Sequence, residues 1–282
     1  MPEIHASAVV EPGAQLADDV VVGPFAYIGG QVKLGAGCVV YHHASVEGST
    51  TAGEGNMFYP QCVIGSAPQD LKYRGGNCKL AIGDHNTFRE ACTVHIGTEA
   101  GGGYTRIGSH NLLMVNVHVA HDCEVGDHCV FANNVMLAGH VSVEDHVVLS
   151  GGVAAAHYAS IGTHAFIGGF AAVVHDLPPF MISDGHPAMP RGVNRTGLRR
   201  RGITEERLEA LRTAYKLLFS DRTPVLTQSI ELEKLYPDNA DVRQLIEFIR
   251  RSMGGKFGRY RETLRGKNTW SDEEENGDTN GK

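Results

Sequence analysis

Histidine and aspartate are concentrated in the segment NVHVAHDCEVGDHCV, residues 116–130. His118 and His121 are three positions apart, and Asp122 follows the second histidine directly. A neutral histidine with a carboxylate partner can take a proton from a hydroxyl group near pH 7. Three convergent histidines can instead hold a zinc ion. These residue types therefore allow either acid–base catalysis or metal binding, and the surrounding elements decide between the two.

A six-residue repeat runs through most of the chain. An apolar residue recurs at every sixth position over 4–64, 82–94 and 107–173, and Gly follows it ten times. A small or narrow residue, such as Ala44 or Cys62, often lies four positions after it. This period fits neither an α-helix nor an alternating strand. It predicts short strands joined by tight corners, three to an 18-residue coil, in a parallel β-helix of roughly nine coils.

Two segments interrupt the repeat, and a third region replaces it. Loop 65–81 contains PQDLKY, with an amide, a carboxylate, an amine and a phenol, which indicates a functional loop. The Gly-rich loop 97–106 can equally be a tolerated insertion. We predict a β-helix over 1–190, a small α-helical domain over 191–266, where the apolar spacing becomes helical, and a disordered polar tail over 267–282.

Composition excludes several classes of protein. The formal charge of −7 argues against general nucleic-acid binding, and no apolar run reaches about 18 residues, so we expect no membrane span. The N-terminus lacks the features of a signal peptide. Five of the six cysteines occupy the small inward position of the repeat, which indicates core residues in a reducing compartment and predicts a cytoplasmic protein.

Residues 18 apart lie one above another in stacked coils. His121, Gly139 and His157 form such a column, so a backbone amide without a side chain lies between two imidazoles. The Gly139 N–H could stabilise the oxyanion of an acyl transfer. His140 occupies the third position after the apolar residue, a position that holds seven histidines and predicts a solvated corner.

Zinc would require His118, His121 and His140 as ligands, as in β-helical enzymes of the γ-carbonic anhydrase kind. That arrangement gives no role to Asp122 or Gly139. Acid–base chemistry uses both residues and is the preferred interpretation. A metal-dependent hydratase and a catalytically silent scaffold remain the alternatives.

The segments PQDLKY (68–73), GSHNLLMVNVHVAHDC (108–123), FANNVMLAGHVSV (131–143) and GVNRTGLRRRG (192–202) together resemble the LpxA family. These enzymes are acyl-carrier-protein–UDP-N-acetylglucosamine O-acyltransferases of lipid A biosynthesis. The resemblance implies a left-handed parallel β-helix, a homotrimer and no cofactor. It also implies transfer of a 3-hydroxyacyl chain from acyl carrier protein to the sugar 3-hydroxyl. The alternatives within the fold are another acyl donor or an amino-sugar acceptor.

The resemblance also assigns roles to individual residues. His121 is implied to be the general base, Asp122 its orienting partner and Gly139 the oxyanion donor. The implied contacts to the sugar, the phosphates or the acyl group are Gln69, Asp70, Lys72, His118, His140 and His157. Asn194 and Arg201 match nucleotide contacts, and Gly169 matches the position that limits acyl length. Departures from the family pattern are Ala156, Thr196 and His186.

Five arginines fall within eleven residues of this acidic chain. Acyl carrier proteins are strongly acidic, so the cluster predicts a docking surface for the carrier. No aromatic residue lies among these arginines, which disfavours single-stranded nucleic acid as the partner. Arg201 is also one of the implied nucleotide contacts; the other four arginines are Arg191, Arg195, Arg199 and Arg200.

Overall fold

The computed structural model describes residues 1–220 and 224–265; the tail that the sequence predicts to be disordered, 267–282, lies outside them. Strands of mostly two residues alternate with four-residue corners, as the six-residue period predicts. Three sheets form the three faces of a parallel β-helix. The second sheet contains nine strands, one from each coil, in agreement with the predicted number of coils.

The three faces are named sheets 1, 2 and 3. Sheet 1 contains β1 (Glu3–Ile4), β4 (Val21–Val22), β7 (Val39–Val40), β10 (Met57–Phe58), β13 (Thr87–Phe88), β16 (Leu112–Leu113), β19 (Val130–Phe131), β22 (Val148–Leu149), β25 (Phe166–Ile167), β27 (Met181–Gly185) and β28 (Ala188–Val193). Sheet 2 contains β2 (Val9–Val10), β5 (Tyr27–Ile28), β8 (Ser45–Val46), β11 (Val63–Ser66), β14 (Thr93–His95), β17 (His118–Val119), β20 (Met136–Leu137), β23 (Ala154–Ala155) and β26 (Ala172–Val173). Sheet 3 contains β3 (Gln15–Leu16), β6 (Lys33–Leu34), β9 (Ser49–Ala52), β12 (Lys79–Ile82), β15 (Tyr104–Ile107), β18 (Glu124–Val125), β21 (Ser142–Val143) and β24 (Ser160–Ile161).

Strands of successive uninterrupted coils pair residues 18 positions apart, which is the length of three repeats. His118 pairs with Met136, 18 residues later, and Met136 pairs with Ala154, another 18 residues later. The two inserted loops span 67–78 and 96–103, because β11, β12 and β15 extend the pairing at their edges. Inside the coils, the apolar residues form one core. All six cysteines are buried and free, including Cys78, which lies outside the repeat.

The corners explain the many histidines at the third position of the repeat. Residues there have a left-handed backbone, such as φ 57° at His128 and φ 62° at His146. Histidine, asparagine and aspartate adopt this conformation more readily than other residues with side chains. Between sheets 3 and 1, five such imidazoles stack on one another, from exposed His85 to half-buried His164. The frequent histidines at this position are therefore explained first by the left-handed backbone of the corner.

The hairpin of β27 and β28 closes the end of sheet 1, and helices follow it. They form a second apolar cluster beside the β-helix. None of the helices in 1–220 and 224–265 is long and apolar enough to cross a membrane. The helical elements are α1 (Arg195–Arg200), α2 (Glu205–Tyr215) with a π-helical turn (Lys216–Ser220), α3 (Val225–Leu235), α4 (Ala240–Met253) and two 3₁₀ helices, Glu99–Gly101 and Tyr260–Leu264.

Candidate active site

The predicted acid–base pair is formed at the corner between sheets 2 and 3. His121 and Asp122 follow β17, and both are buried. His121 Nδ1 lies 2.7 Å from Asp122 Oδ2. A carboxylate at that distance keeps the proton on Nδ1, so the lone pair of Nε2 is available to accept a proton. Asp70 Oδ2, from the first inserted loop, lies 3.9 Å from Nε2.

The second inserted loop fixes the carboxylate of Asp122. The Thr98 N–H donates to Oδ1 over 2.9 Å, and the Thr98 hydroxyl donates to Oδ2 over 2.6 Å. Gly101 leaves the space that the carboxylate fills, because a Cβ there would lie 2.0 Å from Asp122 Cγ. Burial alone raises the pKa of Asp122, but the hydrogen bonds from His121 and Thr98 outweigh burial and lower it. The loop therefore belongs to the site and keeps Asp122 ionised.

Gly139 lies directly over the imidazole of His121. A Cβ built on Gly139 would lie 2.5 Å from His121 Cε1, so only glycine leaves room for the ring in this position. In the described part of the chain, no acceptor is hydrogen-bonded to the Gly139 N–H. His157 follows in the same column, as the spacing predicts, and is exposed at the rim of the site.

A second histidine pair lines the other side of the site. His118 Nδ1 lies 2.7 Å from the Thr93 hydroxyl, and the His118 ring meets the edge of His95 with centroids 5.0 Å apart. Burial lowers the pKa of His95 to about 4, and the neighbouring His118 and His121 add to this effect. The sequence interpretation missed His95. A signal for it exists, because His95 occupies the position after the apolar residue that is Gly in ten repeats, just before an inserted loop.

These residues surround a cleft of about 420 Å³ on the outer face of sheet 2. Polar groups occupy one end of the cleft and small or apolar side chains the other. The lining residues are Gln69, His95, His118, Ala120, His121, Met136, Leu137, Ala138, Gly139, Ala154, Ala155 and His157.

His140 contacts the acid–base pair from the same neighbouring coil as Gly139. Its ring meets His121 edge-on at 5.2 Å, and its Nε2 lies 3.8 Å from Asp122 Oδ2. Burial lowers the pKa of His140 to about 4, with Asp122 opposing the shift. Among the described residues, the donor set suited to a metal is His121, Asp122 and His140. His118 is not part of it, so the three histidines of the hydratase alternative do not converge.

Other predicted contacts lie away from this cleft. Lys72 is exposed on the first loop, and Gly169 is at the corner between sheets 1 and 2. Asn194 caps α1 by accepting from the Gly197 N–H over 3.1 Å, and its amide donates to the His164 carbonyl over 3.0 Å. Arg201 lies beside the stacked histidines, where its charge contributes to lowering the pKa of His146, although burial is the larger cause.

The four arginines predicted to dock the carrier are also outside the cleft. Arg191 is on β28, and Arg195, Arg199 and Arg200 are on α1; all four are exposed, as is Arg201. Arg199 forms a two-pronged pair with Glu205, with Nη2 and Oε2 2.8 Å apart.

Curated proteins with this architecture are close in sequence. The acyl-[acyl-carrier-protein]–UDP-N-acetylglucosamine O-acyltransferase of Akkermansia muciniphila is 51% identical over 259 residues, 90% of this chain and 99% of the relative. The enzyme of the same name from Thermodesulfovibrio yellowstonii is 40% identical over 255 residues, again 90% and 99%. The chain belongs to this family of O-acyltransferases. It is therefore an acyltransferase, and the first-choice interpretation of the sequence is confirmed.

Solved structures of the family share the fold. LpxA from Acinetobacter baumannii is 40% identical with a TM-score of 0.84, covering 86% of this chain and 95% of that one. LpxA from Moraxella catarrhalis is 40% identical with a TM-score of 0.85, covering 88% and 96%. The left-handed β-helix implied by the resemblance is confirmed.

Two family models match parts of the chain. The model described as bacterial transferase hexapeptide (six repeats) matches residues 13–48 and 104–139. The model described as UDP-N-acetylglucosamine O-acyltransferase, domain 2, matches residues 176–256.

Proposed function

We propose that the cleft transfers a 3-hydroxyacyl chain from acyl carrier protein to the 3-hydroxyl of UDP-N-acetylglucosamine, the first step of lipid A biosynthesis. The observation that carries this proposal is the column of His121 and Gly139 with the Asp122 carboxylate behind it. A base with a fixed tautomer and a facing amide N–H are the two groups that acyl transfer to a hydroxyl requires. The curated relatives are named as acyl-[acyl-carrier-protein]–UDP-N-acetylglucosamine O-acyltransferases, which supports the donor and acceptor of this proposal.

The chemistry follows from the atoms of this column. His121 Nε2 takes the proton of the sugar hydroxyl as its oxygen attacks the thioester carbonyl carbon. A C–O bond forms, and the negative charge on the carbonyl oxygen is stabilised by the Gly139 N–H. Collapse of this intermediate breaks the C–S bond, and the protonated His121 returns its proton to the departing thiolate. Asp122 stabilises the transient imidazolium and stays ionised throughout.

Substrate placement follows from the two ends of the cleft. Gln69, Asp70 and His118 surround the base with donors and acceptors suited to sugar hydroxyls. Ala138, Ala154 and their neighbours present a smooth apolar wall suited to an acyl chain. Lys72, His140 and His157 remain predicted contacts to the sugar, the phosphates or the acyl group. The activity needs no metal or organic cofactor, because the thioester is itself the activated donor.

A homotrimer would complete the site. The outward residues of sheet 1 are apolar and half-buried in nearly every coil. Those of sheet 3 are mainly polar, as at Lys33, Arg106 and Glu124. A continuous apolar face of this kind needs a protein partner, and a closed cyclic assembly covers it with identical chains. The apolar residues are Val21, Val39, Met57, Leu112, Val130, Val148, Phe166 and Ile182.

The remaining predicted contacts fit this assembly. Gly169, Asn194 and Arg201 lie outside the cleft of a single chain, so they reach a shared substrate only if a neighbouring subunit presents them. Light scattering at working concentration should give three times the chain mass, and a monomer would contradict the proposal. The exposed arginines from Arg191 to Arg201 provide the positive surface for the acidic carrier protein. The buried free cysteines support a reducing, cytoplasmic setting.

A mass-spectrometric transfer assay tests the proposed function. Purified protein is offered acyl carrier protein thioesters of graded length, with UDP-N-acetylglucosamine or its 3-amino analogue as the acceptor. We expect a single acyl addition to UDP-N-acetylglucosamine from a 3-hydroxyacyl donor. Transfer to the amino analogue alone would replace the acceptor in this proposal. No transfer from any carrier-protein thioester would overturn it.

A further inference from the structure

The last described segment of the chain, Arg259–Arg265, packs against the corner that carries the acid–base pair. The Tyr260 N–H donates to the Asp176 carboxylate over 2.8 Å, and Arg259 Nη1 donates to the Val174 carbonyl over 2.8 Å. These contacts anchor the segment to the end of the β-helix. The match to the second-domain family model ends at residue 256, so the segment lies beyond it.

Arg261 of this segment reaches the backbone of the site. Its Nε donates to the His140 carbonyl over 3.0 Å, and its Nη1 donates to Glu124 over 2.9 Å. The His140 N–H in turn donates to the His121 carbonyl over 3.0 Å. Both peptide groups that flank the left-handed backbone of His140 (φ 64°) are therefore held by hydrogen bonds. A left-handed backbone is unfavourable for a residue with a side chain, so hydrogen bonds on both sides stabilise it.

The side chain of His140 is held by Tyr158, which in turn contacts the same C-terminal segment. Tyr158 stacks on its ring with centroids 4.3 Å apart and an angle of 3° between the planes. The guanidinium carbon of Arg265 lies 4.8 Å from the centroid of the Tyr158 ring, and Arg265 pairs with buried Glu262 over 3.0 Å. The Tyr158 N–H also donates to the Gly139 carbonyl over 3.2 Å. The ring stack and the backbone hydrogen bond of Tyr158 therefore both hold the turn formed by Gly139 and His140.

We propose that Arg261 and Tyr158 are positioning residues, which hold the Gly139–His140 turn so that the Gly139 amide and the His121 ring keep their relative places. The proposal rests on the proposed acyl transfer at this site. Neither residue lines the cleft or contacts the reacting atoms. Their effect is on the rate of the chemical step, because a displacement of about 1 Å at a reacting group can cost a factor of 10².

Kinetics of Arg261→Ala test the proposal, with Arg250→Ala as the matched control. Arg250 also forms a two-pronged carboxylate pair, with Glu233, but on the helical domain. We expect Arg261→Ala to lower kcat about 10- to 100-fold, with KM for UDP-N-acetylglucosamine within about twofold of wild type. Arg261→Lys can still donate to the His140 carbonyl and should lose only about threefold to fivefold. The control should keep wild-type kcat.

Hydrogen–deuterium exchange provides a readout that does not depend on activity. Peptides containing residues 138–141 should exchange several-fold faster in Arg261→Ala, and at the wild-type rate in Arg250→Ala. If the alanine variant does not fold, Arg261→Met, which keeps much of the side-chain length but has no donor, replaces it. Unchanged exchange, or a kcat within twofold of wild type, overturns the positioning role. An inactive wild-type protein would overturn the proposed function instead, and the exchange comparison would still decide the positioning role.

Discussion

Gly139 and His121 occupy one column of the β-helix so closely that a methyl group on the glycine would lie 2.5 Å from His121 Cε1. The glycine therefore contributes to the site in two ways. Its N–H faces the reacting carbonyl in the proposed mechanism, and its missing side chain makes room for the base. An alanine variant keeps the N–H, but the added carbon pushes the imidazole away from its place.

Gly139→Ala should therefore lower kcat by about 10²-fold, because a displacement of about 1 Å at a reacting group can cost that factor. Gly192→Ala is the matched control, because nothing lies within 4 Å of a Cβ built there. Steady-state kinetics of the two variants give the comparison. A Gly139→Ala enzyme with near-normal kcat would mean that the space left by the glycine does not matter for the rate.

Asp122→Asn keeps the shape of the side chain and removes its charge. The amide can present its N–H₂ to His121, which favours the wrong tautomer and leaves Nε2 protonated. We expect kcat to fall by about 10⁴-fold with little change in fold. Thr98→Val removes one of the two Thr98 bonds to Asp122 and should cost about tenfold. Equal activity of Asp122→Asn and wild type would remove the carboxylate from the mechanism.

The pKa of His95, near 4 in the folded state, predicts a loss of stability in acid. The ordinary histidine pKa is 6.5, so the unfolded chain binds more protons than the folded chain between these values. The free energy of unfolding should fall by about 2 kcal/mol between pH 7 and pH 5 through His95 alone.

His95→Gln tests this dependence. Denaturant unfolding at fixed protein concentration should show a smaller loss between pH 7 and pH 5 in this variant than in wild type. His5→Gln, at an exposed site on the first coil, serves as the control and should follow wild type. If His95→Gln shows the wild-type pH dependence, His95 is not the group that titrates.

Gly169→Met should shorten the preferred acyl chain. A Cβ at Gly169 meets only the Gly151 carbonyl oxygen, at 3.5 Å, so the corner can accept a side chain. Each buried methylene contributes about 0.8 kcal/mol, so excluding three or four carbons costs the long chain roughly 2–3 kcal/mol, a factor of about 50. Competition between thioesters of different length measures the shift. An unchanged profile would place the end of the groove elsewhere, and exposed Phe170 would be tested next.

The repeating part of this molecule was predictable because its geometry is periodic. The 18-residue coil places His121, Gly139 and His157 in one column without knowledge of any long-range contact. The loops do not follow that rule. Thr98 contacts Asp122 from 24 residues away, and nothing in the Gly-rich segment shows that it folds back onto the site.

Two further residues show why the rest of the site could not be predicted from the sequence. His95 was missed because the periodic pattern describes inward and corner positions, and a buried outward histidine depends on the loops that cover it. Arg261 contacts His140 across 121 residues, through packing of the helical domain on the β-helix. The repeat predicts a shared backbone conformation for the histidines of the third position, and all of them are left-handed. It does not predict that His140 is the one that lies against Asp122.

The kcat of His121→Ala shows whether His121 is the general base. We expect a fall of about 10²- to 10⁴-fold, with the Kd for UDP-N-acetylglucosamine close to that of wild type, because the sugar contacts of the cleft remain. A kcat within threefold of wild type would mean that another group takes the proton.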